Sequence, residues 1–194
     1  MAAYTRQDVI DTLADPVLDR IAIGADGFWI TGSNLRLVLS HILLGYITVE
    51  EGTQTIALYY SGQNKIVTQL GVSPPGVHAR ALLLHECVHA LFDIQKYRTT
   101  SLTNEVLCYI TQHLYLLFKI PGYTTAVNRT LDPVSQPALW ESFYASVLDY
   151  ARGGISTVLK INTSNWQFQS LRNHLWSLNI YQHLQYATVS QGDG

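Results

Sequence analysis

Residues 81–95 read ALLLHECVHALFDIQ, an apolar run that carries three titratable side chains in the pattern HExxH. Leucine, alanine, valine and phenylalanine lie on every side of the helix that this run predicts, which is typical of a helix buried on most sides. Burying His85, Glu86 and His89 without partners would cost roughly several kcal/mol. The run therefore predicts a core helix whose three polar side chains share a dedicated set of partners.

Helical spacing indicates what those partners are. Residues four apart lie on one face of a helix, so His85 and His89 can direct two imidazole nitrogens at one metal ion. Glu86 projects about 100° around the helix, where it can hold and deprotonate a metal-bound water. The alternative is a pair of core histidines hydrogen-bonded to carbonyl groups, with Glu86 paired to Arg80 or another cation.

A catalytic zinc site needs a third protein ligand and keeps one position open for water. The metzincin pattern is excluded because Phe92 and Gln95 stand where it has glycine and histidine. Asp93, one turn beyond His89, is better placed to support a ligand than to bind the metal. The carboxylates downstream of the motif are Asp93, Glu105, Asp132, Glu141, Asp149 and Asp193.

Glu105 is the strongest of these carboxylates because it lies near the start of a second predicted helix. Ser101 or Thr103 can cap that helix, and the apolar residues 106–118 continue it. The polar connection 96–100 is short, which favours antiparallel packing of the two helices. We therefore expect Glu105 to be the third ligand. The alternative is an acidic residue stabilised only by the dipole of its own helix.

The HExxH motif followed by Asn104-Glu105 resembles the gluzincin arrangement of thermolysin-like zinc peptidases. The matched residues cover positions 82–109. In that family the motif glutamate polarises the water that attacks a peptide carbonyl, and zinc is bound by two histidines and the later glutamate. The resemblance implies a zinc cofactor with the ligands His85, His89 and Glu105, and Glu86 as the general base.

Two departures from the thermolysin-like pattern qualify this resemblance. The family places an aspartate four residues after the ligand glutamate to orient the first histidine, and Tyr109 occupies that position here. The spacing between His89 and Glu105 is also shorter than in thermolysin-like enzymes. The shorter spacing favours a compact zincin over a full-length secreted protease, whereas the missing aspartate keeps open the alternative of a binding or structural module. Short HExxH domains of this kind resemble bacterial toxin-type metallopeptidases.

The fold class expected from the whole chain is α+β, a mainly helical zincin-like domain with a small antiparallel sheet before the motif helix. With 194 residues and 47% hydrophobic composition, the chain can bury one core and needs only one domain. We expect three parts, which are N-terminal helices with the sheet (1–76), two metal-site helices (77–120) and a C-terminal helical part (121–194).

Local patterns predict the individual elements of this domain. Helices are expected over 5–14, 33–45, 132–150 and 165–178, with Arg152-Gly153-Gly154 separating the last two. Strands are expected at 47–49, 55–60 and 65–68. The resemblance assigns to the strand nearest the cleft the task of holding an extended peptide, and the alternative is a sheet that only covers the core.

Composition argues against two kinds of partner. A net charge of −2 with 13% charged residues provides neither a basic face for nucleic acid nor a polybasic membrane anchor. The apolar stretch 35–49 contains Arg36 and His41 and is too short to span a bilayer. The first residues lack the features of a secretory signal. We expect a soluble, cytoplasmic protein, with delivery into another cell left open and no indication of oligomeric state.

The two cysteines fall in the two predicted site helices. Cys87 and Cys108 form no CxxC motif, and we expect both to be free thiols in the core. A disulfide joining the helices is an alternative. A direct metal role for Cys108 is another, because it lies three residues after Glu105 on roughly the same helix face.

The leading functional prediction is a zinc metallopeptidase, a hydrolase of peptide or protein substrates that acts through a zinc-bound water with Glu86 as general base. Amide hydrolysis also needs a group that stabilises the oxyanion. The candidates for that group are Tyr144, Arg172, His174, Tyr181 and His183. The alternative is an inactive zincin-fold binding or structural module with zinc absent or purely structural. A third possibility is hydrolysis of a non-peptide amide.

Overall fold

The computed structural model describes residues 2–53, 57–71, 74–121, 123 and 158–177, and these residues form a mixed α+β fold. The helices in chain order are α1 (Arg6–Leu13), α2 (Gly32–Leu43), α3 (Val77–Ile94), α4 (Ser101–Lys119) and α5 (Trp166–Ser177). The strands are β1 (Ala2–Ala3), β2 (Ala22–Ala25), β3 (Phe28–Thr31), β4 (Thr48–Glu51), β5 (Leu58–Tyr60), β6 (Lys65–Thr68), β7 (Leu70–Gly71) and β8 (Leu159–Ile161). The α+β class expected from the sequence is confirmed.

The described strands form three small sheets. Strands β1 and β7 pair antiparallel, β2 lies between β3 and β8, and β6 lies between β4 and β5. The expectation of a purely antiparallel sheet before the motif helix is wrong, because β4 and β6 run parallel. The reason is topological. β5 and β6 form an antiparallel hairpin, and β6 then pairs through its other edge with β4, so β4 and β6 share one direction.

Helix α3 crosses the centre of the described core. Its buried residues face in all directions around the axis, as the apolar run predicts, and Leu82 is the exception at 39% exposed. Helices α1, α2 and α4 pack against it, and α4 makes the most extensive contact. The three polar residues of the motif therefore lie inside a helix that the fold holds from several sides.

The turn between α3 and α4 fixes how the two helices face each other. Helix α3 ends at Ile94 with Gln95 as its C-cap, and Lys96 adopts a left-handed conformation with a φ of 52° that reverses the chain. The amide of Tyr97 donates to the carbonyl of Phe92 and closes the end of the helix. Thr100 then caps α4 by accepting from the amide of Thr103. The cap is therefore Thr100, one residue before the earlier of the two caps that the sequence suggests.

Most local predictions agree with the structure. The helices expected over 5–14, 33–45 and 165–178 are confirmed by α1, α2 and α5, and the three expected strands correspond to β4, β5 and β6. The hairpin of β2 and β3 and the strand β8 were not expected. The helix predicted over 132–150 and the separator Arg152-Gly153-Gly154 lie outside the described residues. In the described part of the chain, no helix has both the length and the apolar character needed to cross a membrane.

Candidate metal centre

Helix α3 places the two motif histidines side by side. The ring centroids of His85 and His89 are 5.1 Å apart, and the ring planes are inclined by 63°. Both residues are buried. The four-residue spacing thus directs both rings to the same side of α3, towards α4.

Glu105 of α4 lies across from both rings. Its Oε2 is 3.3 Å from Nε2 of His85, and its Oε1 is 3.2 Å from Nε2 of His89. These separations exceed the usual N–H···O distance of about 2.9–3.0 Å. They match the edge of a tetrahedron of zinc ligands, about 3.3 Å for metal–ligand bonds near 2.0–2.1 Å. Each imidazole thus meets a different oxygen of the Glu105 carboxylate, at a distance compatible with a zinc ion shared between them.

Cys108 brings a fourth donor atom to the same place. It lies one turn after Glu105 on α4, and its sulfur and the ligating nitrogens of His85 and His89 all lie within 4.8 Å of one another. Both cysteines are free and buried, so the thiols are not joined in a disulfide. The sequence raised Cys108 only as an alternative, and the structure places it among the candidate ligands.

The charges of this cluster are strongly coupled. Burial raises the pKa of the Glu105 carboxyl, but His89 and His85 lower it far more, so its pKa lies well below the usual range. Burial lowers the pKa of His89, and its contacts with Cys108 and Glu105 outweigh burial and raise it. Glu105 is therefore a buried anion that can bind a cation.

The pKa of the Cys108 thiol is shifted in the opposite direction from that of Glu105. Burial raises the pKa of its thiol to about 12, although His89 beside it acts to lower it. The thiol is therefore neutral near pH 7 unless a bound cation displaces its proton. A coordinating metal does this to thiols.

Glu86 lies beside the donor cluster and contacts strand β5. Its Oε2 accepts the backbone N–H of Tyr59 at 2.8 Å. Arg80, the cation suggested as its partner, instead donates from Nε to the carbonyl of Pro75. Burial raises the pKa of Glu86, while the histidines His85 and His89 lower it to a smaller extent. A carboxyl with a raised pKa, beside a metal site but outside its donor set, suits a general base.

Tyr59 makes a second contact with α3. Its hydroxyl donates to Oδ2 of Asp93 at 2.7 Å, and Lys96 lies 3.7 Å from the other oxygen of that carboxylate. Asp93 was expected to support a metal ligand, and its side-chain partners among the described residues are instead Tyr59 and Lys96. Asp93 lies two turns from Glu86 on α3, so Tyr59 joins β5 to the helix at two points.

The support for His85 comes from Gln112. Nδ1 of His85 lies 3.2 Å from Oε1 of Gln112, and both residues are buried. Tyr109 occupies the position where the thermolysin-like pattern has an aspartate, and its ring packs edge-on against His85 with centroids 4.6 Å apart. The hydrogen-bonding residue thus lies three positions further along α4. Its seven-residue distance from Glu105, two helical turns, is the sequence signal that could have revealed it.

His89 differs from His85 at the far side of its ring. Among the described residues, its Nδ1 is buried without a hydrogen-bond partner, and so are both amide atoms of Asn104. The orientation of the His89 ring therefore depends on its Nε2 contacts and on packing, including the edge of Phe92 with centroids 6.4 Å apart.

Two of the five candidates for oxyanion stabilisation lie among the described residues. Arg172 lies on α5 and is partly exposed, and His174 lies on the same helix. Tyr144, Tyr181 and His183 fall outside the described residues. The oxyanion group therefore stays a prediction.

Comparisons with protein-family models, with curated proteins and with solved structures found no match to this chain. The functional proposal below therefore rests on the geometry and chemistry of the site.

Proposed function

We propose that this protein is a zinc-dependent hydrolase of peptide bonds, with His85, His89 and Glu105 as metal ligands and Glu86 as general base. The observation that carries the proposal is the Glu105 carboxylate, which meets both Nε2 atoms at 3.2 and 3.3 Å. Two imidazoles and one carboxylate are the donor set of many catalytic zinc sites, which leave a fourth position open. The buried, anionic Glu105 beside the two imidazoles fits a site completed by a cation.

Zinc in such a site supplies a Lewis acid that lowers the pKa of water to about 7. The remaining steps belong to Glu86. Its Oε2 is fixed by the amide of Tyr59, so we assign proton transfer to Oε1. Glu86 accepts the proton of the attacking water and passes it to the leaving amine. Its raised pKa favours both halves of this exchange.

Strand β5 supports a peptide as substrate. It lies at an edge of its described three-stranded sheet and contacts α3 beside Glu86. Leu58 and Tyr60 on this strand are exposed. An edge strand can bind an extended peptide through backbone hydrogen bonds, here through the groups that the contact between Tyr59 and Glu86 leaves free. The proximity of this edge to the base favours a peptide over a small amide.

Metal analysis and a single substitution test the proposal. Purified protein should contain about one zinc per chain, and Glu86→Gln should keep the metal while losing hydrolysis of a peptide library. The matched control is Glu51→Gln, the same chemical change at an exposed position on β4, which should keep both. A folded wild type that binds no zinc contradicts the proposal, as does full hydrolysis by Glu86→Gln.

A second candidate function follows from Cys108. Four protein donors, two nitrogens, one oxygen and one sulfur, are enough to close a tetrahedral site and leave no place for water. The protein would then be a structural or binding module that retains zinc for stability.

Cys108→Ser separates the two functions. The hydrolase retains zinc and activity in this variant, since three ligands remain. The closed site loses much of its zinc affinity. Cobalt substitution provides a further readout, because a sulfur ligand adds a thiolate charge-transfer band that Cys108→Ser removes, whereas the three-ligand hydrolase shows no such band.

A further inference from the structure

We propose that Gln112 is a positioning residue that orients His85 for metal binding. This inference rests on the metal site proposed above. Oε1 of Gln112 lies 3.2 Å from Nδ1 of His85, within a part of the core where both residues are buried. A buried amide oxygen can only accept a hydrogen bond, so it needs a donor at that position.

The contact fixes the tautomer of His85. An acceptor at Nδ1 favours the form with hydrogen on Nδ1, and a neutral imidazole then carries its lone pair on Nε2. Nε2 is the atom that faces Glu105 at 3.3 Å. Gln112 thus holds the ring with its metal-binding nitrogen directed at the donor cluster.

One face of α4 supplies both the donors and this support. Glu105, Cys108 and Gln112 follow each other at three and four residues, which places them along one side of the helix. Tyr109 meets the His85 ring edge-on from the neighbouring turn. The ring is therefore held by a hydrogen bond at one atom and by an aromatic contact beside it.

Gln112 adds no charge of its own to the site. The thermolysin-like pattern uses an aspartate to orient the first histidine, and a carboxylate there would add a negative charge. A neutral amide provides the acceptor without that charge. With two neutral imidazoles and one carboxylate, the three proposed ligands leave a divalent cation with a net charge of about +1.

The two histidines differ in this support. Within the described residues, Nδ1 of His89 is buried without a hydrogen-bond partner, whereas Nδ1 of His85 has Gln112. Removing the hydrogen bond that orients a metal-binding histidine typically weakens metal affinity about 10–100-fold. We expect this effect at Gln112.

Zinc binding by three variants tests the inference. Gln112→Met keeps the length of the side chain but removes the acceptor, and Gln112→Glu retains an acceptor oxygen. Thr111→Val is the matched control, a buried neighbour on α4 whose hydroxyl donates to the carbonyl of Leu107. Zinc dissociation constants are measured by competition with a chromophoric chelator, and the visible spectrum of the cobalt-loaded protein reports ligand geometry.

Gln112→Met should raise the zinc dissociation constant about 10–100-fold and alter the cobalt spectrum. Gln112→Glu should restore affinity close to that of the wild type, and Thr111→Val should leave both readouts unchanged. If Gln112→Met does not fold, Gln112→Asn, which withdraws the acceptor by one methylene, should show the same weakening.

The inference is overturned if Gln112→Met binds zinc as tightly as the wild type with an unchanged cobalt spectrum. It is also overturned if all three variants weaken binding equally, which would indicate a merely structural role. A wild type that binds no metal overturns the proposed function as well, whereas a zinc-binding wild type with an unaffected Gln112→Met overturns this inference alone.

Discussion

Two glutamates at the site have opposite environments. His89 and His85 lower the pKa of Glu105 far more than burial raises it, whereas burial raises the pKa of Glu86. Carboxyl groups whose pKa values are driven apart serve different chemical roles. The anionic residue is suited to bind a cation, and the residue with the raised pKa is suited to exchange a proton.

Glu86→Gln should stabilise the metal-free protein at neutral pH. An acid whose pKa is higher in the folded than in the unfolded state loses stability as pH rises through the interval between the two values. The uncharged amide removes that loss and can still accept the N–H of Tyr59. The variant's free energy of unfolding, measured in chelator from pH 4 to 8, should exceed that of the wild type most near pH 8. A decrease at pH 8 contradicts this assignment.

Glu105→Gln should have the reverse effect on the metal-free protein. Its lowered pKa contributes stability that is present above the ordinary glutamate value and disappears as pH falls through the folded value. We expect a loss of about 1–3 kcal/mol at pH 7, because two buried imidazoles lose their charged partner. Denaturant unfolding in chelator measures it. Equal stability of variant and wild type at pH 7 would show that Glu105 does not pair with the histidines.

Strand β5 and helix α3 are joined by one residue. Tyr59 donates its backbone N–H to Glu86 and its hydroxyl to Asp93, two turns apart on the helix. Burial, followed by the contact with Asp93, raises the pKa of this phenol, so it stays a donor. Tyr59 therefore fixes the position of β5 relative to Glu86, the proposed base.

Tyr59→Phe should weaken this connection. We expect about 1–3 kcal/mol lower stability, because the buried carboxylate of Asp93 loses its hydrogen-bond donor. Peptide hydrolysis should fall while zinc affinity is kept, since no ligand is touched. Tyr60→Phe, on the same strand with a side chain 43% exposed, is the control and should change stability by less than about 0.5 kcal/mol. Equal effects of the two substitutions contradict a specific role for Tyr59.

Elements defined by local patterns could be predicted from the sequence. The hairpin of β2 and β3 also has a local signal, but it was not predicted. Asp26 and Gly27 both have positive φ, 47° and 85°, and an Asp-Gly pair between apolar residues is a strong hairpin signal. Strand β8 was not predictable in this way, because it pairs parallel with β2 from far along the chain. Long-range pairing leaves little trace in local composition.

The proximity of His85, Glu86, His89 and Glu105 could be predicted, because it follows from one motif and one antiparallel helix pair. Spacing within α4 places Cys108 and Gln112 on the same side of the helix as Glu105, but their contacts with the histidines depend on the register between α3 and α4, which the sequence does not show. The contact of Asp93 with Tyr59 was not predicted for a related reason. Its carboxylate meets Tyr59, and the sequence does not show that β5 packs against that part of α3.

At the scale of the whole molecule, the candidate metal donors connect two of the largest elements of the described core. Helix α3 packs against α1, α2 and α4, and the candidate ligands lie at its contact with α4. A cation bound there contacts the folded state and has no preformed site in the unfolded chain. Zinc should therefore stabilise the entire fold.

Zinc at 100 times its dissociation constant should add about 2.7 kcal/mol to the stability. For a chain of this size each kcal/mol raises Tm by about 2–4 °C, so we expect a rise of about 5–11 °C. Calorimetry with zinc and with chelator measures it, and His89→Ala should abolish the difference. An unchanged Tm in the wild type would mean that the folded protein has no zinc site.

The most direct measurement is a crystal structure of the zinc-loaded protein with anomalous scattering at the zinc edge. We predict one zinc ion bound by His85 and His89 at about 2.0–2.1 Å and by Glu105 at about 2.0–2.2 Å, with Glu86 outside the coordination sphere. An anomalous peak at any other position, or zinc bound without Glu105, would contradict the proposed site.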